Sequence, residues 1–501
     1  MFRLIRIAID THSEHVIFLH RNAVTRGALG LQPLDRVRVI GRDPESGKVH
    51  EIQGVLNFCH DSLIAEDEIG LSESAFADLG LLSGSPAEAR LAAPPESIAQ
   101  VRNKLAGGRL TRAEFDAILR DVAQRRYSKV ELSMFVLACA LRRLDLEELA
   151  DFTRAMIACG NRLDFGEGPI ADKHCIGGIP GNRTTMILVP IVASLGVKIP
   201  KTSSRAITSP AGTADTMGVL ADVGLGRDRM YDVVDRAGGC IAWGGALDLA
   251  PADDVLITVE RPMGIDTEAQ MIASIMSKKM AAGSTFAVID IPTGRTAKVH
   301  TRAEAHTLGA RFEAIADAVG LDLDVVVTES TGPIGRGIGP RLEALDVLAV
   351  LNGEEDAPVD LREKSLFLAA RILEAVGAVG PSEGYVAARE ALDSGRAARK
   401  FDEIVELQGR REIPAEAPLR GEIRSPRDGR LRSLDCQQIN ALAKLAGAPA
   451  HPAAGLCMLR KPGDVVVRDE PLIEIHARSE AHLRFAEDHA RAHSDLFEFG
   501  Y

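Results

Sequence analysis

From about residue 170 to residue 410, short apolar runs alternate with helix-like stretches, and this alternation most constrains the fold. Phe286–Ile291 and Val325–Thr328 are apolar runs suited to buried strands. Thr301–Val319 and Pro340–Leu351 are helix-like. Strands alternating with helices predict an α/β domain with a largely parallel sheet.

The flanking segments have other periods. Residues 1–90 read as a β-rich domain, with short β-branched runs at Arg3–Ile9, His15–Leu19, Arg36–Ile40 and His50–Phe58. Ala92-Ala93-Pro94-Pro95 looks like a linker. Residues 96–168 read as helical. Thr111 with Glu114, and Ser128 with Glu131, are capping boxes, and apolar residues follow at helical spacing. Residues 413–501 read as a small α+β domain, with a turn at Lys461-Pro462-Gly463-Asp464 and strands at Val465–Val467 and Leu472–Ile475. Ser479 is a candidate N-cap for a last helix ending near His493. There is no fixed-period repeat and no low-complexity tract.

Composition excludes several function classes. Acidic residues outnumber basic ones 71 to 59, a net charge of −12, which argues against a nucleic-acid partner. The seven cysteines are far apart, odd in number and without a Cys-x-x-Cys, so they suggest neither a disulfide framework nor a thiolate metal site. That pattern predicts a reducing, cytoplasmic location. The first ten residues do not read as a signal peptide, and the apolar run Met186–Val197 is too short to span a bilayer. No metal-ligand cluster is visible, and neither metal nor cofactor is expected.

Two loops carry the candidate chemistry. The first runs from Asp172 through Lys173-His174-Cys175 and Gly177-Gly178 to Thr184-Thr185, where an apolar helix opens. Backbone N–H groups in such a turn form an anion nest, and the helix N-terminus adds partial positive charge. Lys173 supplies a full charge and Thr184 or Thr185 a hydroxyl, which together make a phosphate cradle. The competing reading is a tight strand-to-helix turn without a ligand. The spacing matches neither a Walker A loop nor a dinucleotide fingerprint. The second loop, Lys201 to Asp215, places hydroxyls beside Arg205, a set suited to phosphate and sugar oxygens. Its competing reading is a solvated turn with a helix cap at Thr213.

From Asp172 to Asp215 the sequence resembles the nucleoside phosphorylases of the thymidine phosphorylase family. It is most similar to the N-terminally extended branch that includes AMP phosphorylases. The resemblance continues through Leu249-Ala250-Pro251-Ala252-Asp253, Ser274, Lys278-Lys279 and the Lys461-Pro462-Gly463-Asp464 tail. It implies a multidomain α/β chain of the nucleoside phosphorylase and phosphoribosyltransferase type. The helical domain would then include about 250–281, and the α/β domain would comprise 169–249 and 282–412. The implied activity is phosphorolysis of a nucleoside or nucleoside 5′-monophosphate to free base and pentose 1-phosphate, with inorganic phosphate as co-substrate. The resemblance also implies a homodimer or larger homo-oligomer.

By matching position, Lys173, His174, Cys175, Gly178, Thr184 and Thr185 fall where the family holds phosphate. Ser204, Arg205, Ala206, Ile207, Thr208, Ser209 and Thr213 fall where the branch holds its substrate, with Ser274, Lys278 and Lys298 as further contacts. Asp266 matches the branch's proton donor to the departing base. A carboxyl donates near neutral pH only where burial or neighbours raise its pKa. A helix N-cap is the alternative role for Asp266. His174 is open to two roles, proton carrier or structural hydrogen-bonding residue.

The sequence departs from the family twice. Cys175 stands where Ser is usual, and a thiol is the weaker donor. Val259 stands where thymidine phosphorylases carry an Arg that reads the thymine edge, which favours a 5′-monophosphate. Three alternatives remain beside that reading. One is a strict thymidine phosphorylase. Another is a magnesium-dependent phosphoribosyltransferase, for which no paired acidic motif is seen. The last is a biotinyl- or lipoyl-type carrier modified at Lys461, whose neighbours Arg460 and Pro462 do not suit it.

Overall fold

The computed structural model describes residues 2–26, 30–60, 62–206, 209–265 and 267–500. Two compact units are present: Met1–Gly160 with Ala250–Ser274, and Asn161–Leu249 with Ile275–Tyr501.

In the first unit, β1 (Phe2–Arg6), β2 (Val16–His20), β3 (Arg36–Arg42), β4 (Val49–Cys59), β5 (Glu68–Leu71) and β6 (Pro86–Leu91) close a barrel in the order β1-β5-β2-β4-β3-β6. Closure removes the sheet edges that would otherwise pair with other chains. Alternation along β3 buries Val37 and Val39, which join Leu4, Ile17, Leu19, Leu56 and Ile69 in the barrel core. The sequence reading missed β5 and β6, which are short and poor in β-branched residues.

Helices Ile98–Leu105, Arg112–Ala123, Lys129–Leu141, Leu146–Ala158 and Pro251–Met263 complete this unit. Thr111 and Ser128 form the expected capping boxes with Glu114 and Glu131. Phe152 packs against Phe115 and Phe135 with ring centroids 5.3 and 6.0 Å apart. Inside this apolar packing, Lys104 and Glu148 pair at 2.7 Å, each satisfying a charge that burial would otherwise leave bare.

The second unit is built on parallel strands. β7 (Ala171–Cys175), β8 (Ile199–Ser203), β9 (Gly239–Trp243), β10 (Phe286–Thr293) and β11 (Asp322–Glu329) form a three-stranded sheet, β11-β10-β7, and a β8-β9 pair. A parallel bridge from Ile170 to Lys198 joins the two. All eight residues of β10 are buried, as a central strand covered on both faces requires. β8 and β9 escaped the sequence reading because polar residues and glycine interrupt their apolar pattern.

The end of the chain adds antiparallel sheets around its own core of Leu442, Leu456, Ile473 and Ile475. Gly455–Met458 pairs with Gly337–Ile338, stitching this region to the parallel-sheet part. Ser479 caps the helix Glu480–Ala492, as its position predicts. Lys461 Nζ lies 2.9 Å from Asp360 and donates to the Pro333 and Gly335 carbonyls. Its amine therefore ties the turn to the 333–335 loop. Among the described residues, no helix is long and apolar enough to cross a membrane.

Candidate active site

β7 runs into a glycine turn and then into the helix Thr184–Ser194. Alternation along β7 sends Lys173 and Cys175 to one side and Asp172 and His174 to the other. Lys173 is 1% exposed, and its ammonium donates to Thr184 Oγ1 at 2.9 Å. The Thr184 hydroxyl donates in turn to Asn182 Oδ1 at 3.3 Å, and Asn182 Nδ2 donates to Cys175 Sγ at 3.2 Å. Gly177 and Gly178 have φ of +93° and +91°, in the left-handed region that glycine adopts freely. A Cβ on Gly178 would stand 3.1 Å from the Lys298 backbone nitrogen, so Lys298 lies directly against the turn. Thr185 is buried in the first turn of the same helix. The strand end, glycine turn and helix start thus bring Lys173, Cys175, Gly178, Thr184, Thr185 and Lys298 into one region.

On the opposite side of β7, Asp172 is a buried hub. It accepts from Lys279 at 2.5 Å and Ser284 at 3.4 Å, and Lys201 lies 3.4 Å away. Burial works to raise the Asp172 carboxyl, but Lys201 and Lys279 hold it below its usual range. Burial lowers the Lys201 ammonium, with Asp172 opposing. His174 sits among this charge. Burial first, then Lys279, Lys201, Lys173 and Lys278, push its pKa well below the usual histidine value. Its ring is therefore neutral near pH 7, able to hydrogen-bond but not to act as a standing acid.

The second loop is held by two charged residues outside the predicted set. Asp215 accepts from the Ala206 N–H at 2.6 Å and the Gly212 N–H at 2.9 Å, and pairs with Arg205 at 3.3 Å. Arg183, at the foot of the first loop, donates to Thr213 Oγ1 at 3.0 Å and to the Ala211 carbonyl at 2.7 Å, and pairs with the buried Glu343. One guanidinium therefore binds both loops into a single structure. The Thr213 hydroxyl serves this contact, and Gly212 is the N-cap residue instead. Ser209 Oγ donates to the Ala211 carbonyl at 2.7 Å. Ser204 and Arg205 are exposed, with the Arg205 guanidinium 4.9 Å from the Trp243 ring centroid.

Ser274 belongs to the first unit and donates to Asp253 at 2.9 Å. Lys278 belongs to the second unit. Asp266, Ile207 and Thr208 fall outside the described residues. Val259 is buried in the helix Pro251–Met263.

Sequence reasoning passed over Asp172, Lys201, Lys279, Arg183 and Asp215, all within or beside the quoted motifs. Their shared signal is charge inside otherwise apolar or glycine-rich strings. Asp290 and Lys364 were also missed. They are isolated in sequence and meet only through strand pairing and helix packing.

Residues 98–160 match a glycosyl transferase family helical bundle domain and residues 167–398 that family's α/β domain. Residues 430–496 match a pyrimidine nucleoside phosphorylase C-terminal domain. A protein from Polaromonas sp. named "Putative thymidine phosphorylase" is 45% identical over 98% of this chain and 95% of its own length. One of the same name from Methylococcus capsulatus is 48% identical over 97% of this chain and 94% of its own.

The chain belongs to the thymidine phosphorylase family. It is accordingly a pentosyltransferase. A crystal structure of anthranilate phosphoribosyltransferase from Thermus thermophilus aligns with TM-score 0.49 and 20% identity over 62% of this chain and 98% of that one, a likeness too remote to bear on substrate.

Proposed function

We propose that this member of the thymidine phosphorylase family cleaves the N-glycosidic bond of an AMP-like nucleoside 5′-monophosphate with inorganic phosphate. The observation that carries the phosphate part is the buried Lys173 ammonium set on Thr184 at a glycine turn and helix start. A phosphate oxygen attacks C1′ while the bond to the base breaks, and its electron pair leaves with the base nitrogen. Asp266 supplies the proton to that nitrogen. The transition state resembles an oxocarbenium ion, and the phosphate dianion beside it is both nucleophile and counter-charge. Lys173, Cys175, Gly178, Thr184 and Thr185 hold this phosphate, while His174, on the opposite side of β7, takes the structural hydrogen-bonding role.

Ser204, Arg205 and the rest of the loop to Thr213 hold the 5′-phosphate, with Ser274, Lys278 and Lys298 on the nucleoside. The exposed Arg205, steadied by Trp243 and Asp215, supports that assignment, as does Val259 in place of a thymine-reading Arg. The names of the relatives favour a second reading, thymidine as substrate. Neither reading requires a metal or cofactor. Phosphorus NMR of the reaction tests the chemistry directly: a pentose 1-phosphate signal appears, and its absence while base is released would indicate hydrolysis instead.

We place the reaction in the reducing cytosol, where the seven free thiols persist. The enzyme works as a homodimer or larger homo-oligomer. Exposed Val130, Leu137 and Leu141 on one helix support self-association, which light scattering tests.

A further inference from the structure

Lys364, on the helix Val359–Ala375, lies outside every motif read from the sequence. Its ammonium stands 2.9 Å from Asp290 Oδ2 and donates to Thr328 Oγ1 at 3.1 Å. The Thr328 hydroxyl donates to Asp290 Oδ1 at 2.7 Å. On a carboxylate with 0% exposure, Oδ1 therefore accepts from Thr328 and Oδ2 is ion-paired with Lys364.

Strand register puts this group beside the glycine turn. β10 pairs with β7 in parallel, with Val288 opposite Lys173 and Asp290 opposite Cys175. Lys173 and Asp290 are thus diagonal neighbours on one sheet face, a separation that long side chains bridge. Lys173 nevertheless makes no ion pair within 4 Å among the described residues, and its ammonium goes to Thr184. The three groups, Lys173, Lys364 and Asp290, sum to one uncompensated positive charge in a buried place.

We propose that Lys364 is a positioning residue for phosphate: by occupying Asp290, it leaves the Lys173 ammonium for the incoming anion. Without Lys364, the other cation whose charge Asp290 feels is Lys173. The carboxylate would then draw Lys173 from Thr184 and cancel the charge that binds phosphate. The proposal rests on the phosphate-binding role of Lys173 given above.

Charge counting fixes the test. Local net charge is +1 in the wild type, 0 in Lys364→Met, +1 in Asp290→Asn/Lys364→Met and +2 in Asp290→Asn. Lys364→Met is expected to raise the KM for phosphate about tenfold while the nucleotide KM stays within about twofold. The double variant is expected to return phosphate KM to within about threefold of wild type, a rescue that a merely structural lysine does not give. Thr328→Val, which frees one Asp290 oxygen and keeps both lysines, is expected to raise phosphate KM a few-fold. It stands in for Lys364→Met if that protein does not fold. The proposal is overturned if the double variant binds phosphate as poorly as Lys364→Met. It is equally overturned if Lys364→Met, or Thr328→Val in its place, leaves phosphate KM unchanged. Thermal stabilisation by inorganic phosphate is measured on the same proteins. It keeps the test of Lys364 separate from the test of the reaction, because a wild type without phosphorolysis would retract only the latter.

Discussion

Lys173 donates to the Thr184 hydroxyl at 2.9 Å, fastening the end of β7 to the first turn of the following helix. The bond places a full positive charge where unpaired helix N–H groups begin. Burial pulls the Lys173 pKa down, with Asp290 and Cys175 opposing, so a phosphate dianion there strengthens the charged form. Lys173→Met is expected to lower kcat/KM for phosphate about 10- to 100-fold, the size of one charge-assisted contact. Steady-state kinetics with phosphate varied measures it, and a change below about threefold would remove Lys173 from the phosphate site.

The thiol at Cys175 gives a prediction of opposite sign. It accepts from Asn182 at 3.2 Å and is a poorer donor than a hydroxyl. Cys175→Ser is expected to lower phosphate KM by about two- to fivefold, the gain from one better hydrogen bond. An unchanged or higher KM would mean that this side chain does not face phosphate.

Arg183 links stability to the loops. Its partner Glu343 has 0% side-chain exposure, and burial raises the Glu343 carboxyl against the pull of Arg183. Arg183→Met strands that carboxylate and is expected to cost about 3–5 kcal/mol in chemical denaturation, the usual penalty for breaking a buried pair from one side. A loss below about 1 kcal/mol would show that the pair is not maintained in solution.

The lysines around Asp172 predict pH effects with definite signs. The folded-state pKa of His174 is depressed below 6.5, so in acid the unfolded chain takes up a proton that the folded chain refuses. Its stability contribution is present above the unfolded pKa and is lost as pH falls toward the folded one. His174→Gln should therefore make the acid limb shallower, by up to about 1.4 kcal/mol per pH unit. Lys201 is also depressed, below 10.5, so wild-type stability should climb as pH rises from neutrality toward that value. Lys201→Met should remove this climb and leave Asp172 with Lys279 at 2.5 Å. An unchanged alkaline limb would place the Lys201 ammonium in water.

Arg205 and Trp243 supply a substrate test. Trp243 is the sole tryptophan, and the Arg205 guanidinium lies over its ring. A 5′-phosphate that engages Arg205 should alter Trp243 fluorescence, whereas a nucleoside should alter it little. Arg205→Ala is expected to raise KM for a 5′-monophosphate about tenfold and to spare that for a nucleoside. Equal effects on both would detach Arg205 from the 5′-phosphate.

Much of the architecture was legible because its signals are local. Thr111 and Ser128 announced their helices through capping boxes, and the apolar runs of β10 and β11 gave the parallel sheet. Lys173 and Thr184 were also singled out together within one short motif, though not as partners of each other. Interactions set by the three-dimensional register were not legible. Asp290 meets Lys364 across 74 residues of sequence, and no local pattern marks either one. Arg183 looks like an ordinary helix-start residue until Glu343, Ala211 and Thr213 surround it. Several residues read as ligand groups, among them Cys175, Ser209 and Thr213, also have protein partners that spacing could not reveal.

The most direct test is base release from AMP, CMP, UMP, thymidine and uridine, with and without phosphate and with and without Mg²⁺. Phosphate-dependent release from a 5′-monophosphate, unchanged by Mg²⁺, is expected. Release from thymidine alone would contradict the assignment of the Ser204–Thr213 loop to a 5′-phosphate. No phosphate-dependent release from any of the five would contradict the phosphorolytic mechanism itself.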